Sequence, residues 1–147
     1  MNDIRSRVCA LATAVVMAAF VAMPAPAVET VQKSGAISFV SGGVGDDSLE
    51  RIRALAGDFN LQLLFAAKAG NYLADVGVVI RDARGRVVLR TRADGPFLLV
   101  KLPPGEYTVG AAYDGERQRQ QTKIPAKGRR ELVFRWKVAV DGEGAAP

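Results

Sequence analysis

Residues 95–113 read GPFLLVKLPPGEYTVGAAY, and their spacing commits this part of the chain to β-structure. Residues 97–102 are a short, mostly apolar run of the length of a strand. At 103–106, PPGE makes a turn in which proline fixes one backbone torsion and Gly105 supplies a positive one. Tyr107, Val109, Ala111 and Tyr113 then recur at every second position, the period of a strand with one buried face. Working outward, Asp114-Gly115 is a hairpin turn, and RQRQQTK at 117–123 is polar enough for a solvent-facing edge strand. Leu132, Phe134, Trp136 and Val138 alternate again and offer a large apolar face that closes the core. On the other side, Val76, Val78 and Ile80 alternate before a turn at 82–85, after which Val87 and Leu89 alternate with Arg86, Val88, Arg90 and Arg92. Residues 60–66 (NLQLLFA) read as one more strand with Leu61, Leu63 and Phe65 on one side, and 68–75 turn the chain.

The N-terminal part differs. Residues 36–41 alternate loosely as a strand, and then SGGVGDD at 41–47 runs into a segment with Leu49, Ile52, Leu55, Ala56 and Phe59 on one helical face. This predicts an amphipathic helix near 47–57, capped by Asp47 with Glu50 three residues on and closed by Gly57 in a left-handed conformation. The glycines invite comparison with a phosphate loop. Two carboxylates and no lysine stand where the phosphate would bind, however, and neither the Gly-Lys-Ser/Thr ending nor the dinucleotide glycine pattern is present. The alternating oxygen ligands of an EF-hand are missing as well, so no metal and no cofactor is expected.

The turn, the DGxF and the LPPGxYxV, carried by Asp94, Gly95, Phe97, Leu102, Pro103, Pro104, Gly105, Tyr107 and Val109, resemble the carboxypeptidase regulatory-like domains. The likeness spans residues 75–137 and implies a small transthyretin-like sandwich of the kind found as an accessory, adhesive or ligand-binding module in exported bacterial proteins. The fold expected is mainly β: a transthyretin-like or immunoglobulin-like β-sandwich of about 7–8 strands over residues 36–138, with one N-terminal amphipathic helix. The helical segment departs from the usual pattern of that family. The hydroxyisourate hydrolases, an enzymatic branch of the transthyretin relatives, imply histidines and a C-terminal tetrapeptide that this chain does not have.

Residues 1–27 carry Arg5 and Arg7, an apolar run of about 16 residues at 8–23 and an Ala-Pro-Ala ending, the layout of a secretory signal peptide cleaved after Ala27. The run is shorter than a bilayer-spanning helix needs, so the mature chain is expected to be periplasmic or secreted and not membrane-spanning. Residues 28–35 read as a flexible leader and 139–147 as a disordered tail. Cleavage would remove Arg5 and Arg7 from 20 basic residues and Asp3 from 15 acidic ones, leaving 18 and 14 and a net charge of +4. It would also remove Cys9, the one cysteine, so stability rests on packing and not on disulfides.

With no histidine in the chain and no cysteine after the leader, the commonest general base, metal ligand and thiol nucleophile are missing, and the expected product is not an enzyme. Asp75, Asp82, Asp94 and Asp114 stand at strand ends and turns, where aspartate bonds its own backbone. Tyr107 and Trp136 read as core aromatics, not as stacking residues for a sugar. Two readings of function remain. In the first, Arg84, Arg86, Arg90 and Arg92 form a guanidinium stripe that pairs with an envelope protein or an anionic envelope polymer, the alternative being that they solvate an outer face. In the second, the chain assembles with a partner through an exposed edge strand carrying Arg117, Arg119, Gln121 and Lys123. Nucleic acid is not expected, since the basic residues are not interleaved with aromatics.

Overall fold

The computed structural model describes residues 29–137. The expected signal peptide, the first residue of the leader, the expected tail and Val138 of the last strand lie outside the described residues. In chain order the elements are β1 (Gln32–Ser34), β2 (Ile37–Gly42), α1 (Asp46–Leu55) with a 3-10 turn (Ala56–Asp58), β3 (Leu61–Ala67), β4 (Val76–Asp82), β5 (Val87–Ala93), β6 (Phe97–Lys101), β7 (Gly105–Tyr113), β8 (Glu116–Ile124) and β9 (Arg130–Trp136). They form two sheets, ordered β1-β2-β6-β3-β9 and β5-β4-β7-β8. This is the expected β-sandwich, with nine strands among the described residues instead of seven or eight.

The additional strand is β1, which lies in the segment read as a leader. Its side chains are all exposed, so no apolar alternation announces it; it joins the sheet through backbone pairing of Gln32, Lys33 and Ser34 with Phe39, Ser38 and Ile37. The core fills the space between the sheets. Leu61, Leu63, Phe65, Leu98, Val100, Phe134 and Trp136 face Val76, Val78, Ile80, Leu89, Val109 and Ala111, all essentially inaccessible to water. Phe65, Phe134 and Trp136 pack together with centroids 6.0–6.2 Å apart, and Tyr113 reaches Trp136 at 5.9 Å.

The motif that announced the fold explains itself in the contacts. Tyr107, 8 % exposed, donates its hydroxyl proton to the Pro103 carbonyl at 2.7 Å, so the four-residue spacing between them ties the PPGE turn to the strand that follows it. Burial, with the nearby Asp82 carboxylate second, pushes the Tyr107 phenol above its ordinary pKa. Gly95 lies where the chain passes from one sheet to the other, and a Cβ there would overlap the Gly42 backbone. The glycine of the DGxF element is therefore a close-approach residue. Asn60 sets the start of β3 by bonding Leu102 twice: its Oδ1 accepts from the Leu102 amide at 2.8 Å and its Nδ2 donates to the Leu102 carbonyl at 2.6 Å.

Helix α1 covers the outer face of the five-stranded sheet. Ile52, Ala56 and Phe59 are buried against Val40 and Leu99, with Leu55 and Phe97 at the margin, the apolar face expected from the spacing. Both ends differ from expectation. The N-cap is Gly45, whose backbone (φ 84°, ψ 161°) suits only glycine, and no side chain caps the helix; Asp46 and Asp47 occupy the first turn, where they still meet the positive end of the dipole. Gly57 continues into the 3-10 turn and does not enter the left-handed region. Ser48 turns its hydroxyl back to accept from the Gly43 amide at 2.7 Å and donates to the Glu29 carboxylate, which also pairs with Arg51. The hydroxyl, more than any other partner, holds the Glu29 carboxyl below the ordinary glutamate pKa.

Candidate anion-binding face

Among the described residues no element covers the outer face of the four-stranded sheet, and its side chains follow from strand register. On β4, Val76, Val78 and Ile80 point inward, so Gly77, Val79 and Arg81 point outward. Their partners on β7 are Ala112, Gly110 and Thr108, and the next partners on β8 are Arg117, Arg119 and Gln121. On the opposite side, β5 sets Arg92 beside Gly77 and Arg90 beside Val79. One row across the sheet therefore runs Arg92, Gly77, Ala112, Arg117, and the next runs Arg90, Val79, Gly110, Arg119. The two outer strands are three strand spacings apart, roughly 14 Å. Arginines stand on both outer strands, and small side chains lie between them.

The result is an open trough of about 1330 Å³, bounded by Arg90 on one side and Arg117, Arg119 and Lys123 on the other, with Arg81, Thr108 and Glu106 along it. Five basic side chains line it against two acidic ones, Asp82 and Glu106, so its field is positive. Asp82 is further committed to its own turn. Its carboxylate accepts from the Arg84 and Arg86 amides at 2.9 and 3.0 Å and pairs with the Arg86 guanidinium at 3.3 Å, and the Arg86 amide leads in holding its pKa below the ordinary value.

The four arginines read as one stripe are divided. Register along β4 and β5 shifts between Ile80, which faces Leu89, and Arg81, which faces Val87. The extra residue, Val88, packs on the core instead of Val87, which is 40 % exposed. Past this bulge the faces exchange, so Arg86 is carried to the Asp82 turn while Arg90 and Arg92 remain on the outer face. Arg84 sits in the turn itself, outside β5, and does not line the trough. The residues assigned to the edge strand all line it: Arg117, Arg119, Gln121 and Lys123 share the trough with Arg90. Sequence reasoning missed Arg81, Thr108, Glu106 and the two glycines of the floor; their signal was parity, since each stands one residue off the buried positions of β4 or β7.

β8 is an edge strand, pairing within its sheet with β7 alone. Its inward glutamines close the side of the sandwich: Gln118 and Gln120 donate to the Arg135 and Val133 carbonyls of β9 at 2.5 and 2.8 Å. In return, Trp136 Nε1 and Arg130 Nε each donate at 3.2 Å to the β8 carbonyls of Glu116 and Lys123. Among the described residues no helix is long and apolar enough to cross a membrane.

Fold and face together define a two-sheet β protein with a helix on one outer face and a basic trough on the other. No protein-family model matches the chain, and no curated protein matches it. Among solved structures it is similar to the Bacillus anthracis TIE protein, with 18% identity over 52% of this chain and a TM-score of 0.43; the matched region is 16% of that protein's chain.

Proposed function

We propose that this chain is an exported, non-enzymatic binding or accessory module of a bacterial cell envelope, holding an anionic partner against the outer face of β5, β4, β7 and β8. The observation that carries the reading is the convergence of Arg90 and Arg92 with Arg117, Arg119 and Lys123 on one sheet face that no element among the described residues covers. Solvation alone would need no particular partner for these side chains, and strand register instead sets them opposite one another over small residues. The signal-peptide layout of residues 1–27 and the likeness of residues 75–137 to carboxypeptidase regulatory-like domains support the compartment and the module class. Assembly through β8 is the lesser reading, because side chains of β9 already occupy carbonyls near both of its ends.

The test is binding of the chain to immobilised polyuronate and polyphosphate, compared with a neutral glycan. Wild type should be retained on an anionic matrix, and Arg90→Glu/Arg119→Glu should bind at least about tenfold more weakly, ~1.4 kcal/mol. Its melting temperature should stay within a few degrees of wild type, as is usual for surface substitutions. Equal binding by the reversed variant, or no retention of wild type on either anion, would remove the proposal.

A further inference from the structure

Resting on that reading, we infer that the occupant of the trough is a single chain of an acidic polysaccharide, lying parallel to β4 and β7 between the two basic walls. Direction comes from the charges. Arg90 and Arg92 follow one another along β5, and Arg117 and Arg119 along β8, at the ~6.8 Å repeat of side chains on one strand face, with Lys123 two such repeats beyond Arg119; of the β5 pair, Arg90 lines the trough. A linear polyanion laid along the strands meets Arg117, Arg119 and Lys123 in succession on one side and Arg90 on the other; laid across them, it meets one row.

Ligand class comes from the uncharged and acidic groups of the same trough. Thr108 and Gln121 pair across β7 and β8, and Glu106 pairs with Lys123. Carboxylates of an acidic sugar suit the guanidinia, while its hydroxyls donate to Glu106 and exchange hydrogen bonds with Thr108 and Gln121. A polyphosphate offers Glu106 repulsion and no donor. A lipid surface is a poor match as well, because the walls are charged and the outward aliphatic side chains between them amount to Val79 and Ala112, both half-buried.

The floor lets such a chain lie close to the sheet. Gly77 and Gly110 occupy interior positions of the two central strands, where glycine weakens a sheet and often marks a place that another group approaches closely. The fold itself does not require them. Neither has a positive φ, and a Cβ would meet only ordinary contacts: the Ala112 carbonyl at 3.8 Å from Gly77, and the Val79 and Gln118 carbonyls at 3.6 and 3.9 Å from Gly110.

The test fills the floor and leaves every charge in place. Gly77→Val/Gly110→Val, with Gly110→Val alone as the substitute if the double variant does not fold, is compared with wild type for binding to oligogalacturonate, polyphosphate and phosphatidylglycerol vesicles. Wild type should prefer oligogalacturonate, and the filled variant should lose at least tenfold of that affinity with its melting temperature maintained. Undiminished oligogalacturonate binding by the filled variant, or tighter wild-type binding to polyphosphate or vesicles, would overturn the inference. If charge reversal still abolishes binding in that case, the face remains the site and only its occupant was misassigned; if charge reversal has no effect either, the proposed function fails with it.

Discussion

At the scale of single residues, the side chains that announced the fold are those whose chemistry leaves few alternatives. Tyr107 was readable as core from its place in the alternation, but its hydroxyl bond to Pro103 was not, because a carbonyl four residues back can be reached only once the turn is built. Tyr107→Phe keeps the ring and removes that bond, and should cost ~1 kcal/mol in urea unfolding. With the folded-state phenol shifted upward, its contribution is fully present below the ordinary tyrosine pKa and is lost as pH rises through the folded value, so the gap between the two proteins should close in strong alkali. A midpoint difference that does not change with pH would contradict this. Gly95 teaches a related lesson. The motif singled it out, while the reason, the Gly42 backbone against it, belongs to a segment more than fifty residues earlier.

Elements were legible wherever one face is buried and the other wet. β4, β7 and α1 follow their periodicities, and β3 and β9 show their aromatic faces. β1 could not be seen, since a strand held only by backbone bonds leaves no side-chain signature, and the bulge in β5 moved Val87 and Arg86 off the faces that strict alternation assigns them. The segment just before β1 is tied to the helix through Glu29, whose carboxylate joins Ser48 and Arg51 of α1. Because the folded-state pKa of Glu29 is lowered, its contribution is present above the ordinary glutamate value and is lost as pH falls through the folded one. Glu29→Gln should therefore melt below wild type at pH 7 and approach it as pH falls through the folded-state value, below the ordinary glutamate pKa. An equal difference at pH 7 and in acid would show that the amide fails by shape and not by charge.

For the whole molecule, the two outer faces have opposite fates: α1 packs on one, and the other is left to arginines over a floor of small side chains. If that face works as proposed, its affinity is electrostatic in large part and must weaken as salt shortens the Debye length from ~30 Å at 0.01 M to ~8 Å at 0.15 M. Oligogalacturonate binding measured across that range should fall steadily, and salt-independent binding would point to an uncharged contact. The amino-acid sequence by itself determined that the chain is a β-sandwich with one amphipathic helix, because burial of alternate side chains writes a period of two, and of 3.6, directly into the residues. It also marked Arg90, Arg92, Arg117, Arg119 and Lys123 as outward-facing. Only the tertiary structure decided that the two groups belong to one surface, because β5 and β8 become opposite edges of a single sheet through the order β5-β4-β7-β8, and strand order depends on pairings between distant segments that no local pattern encodes.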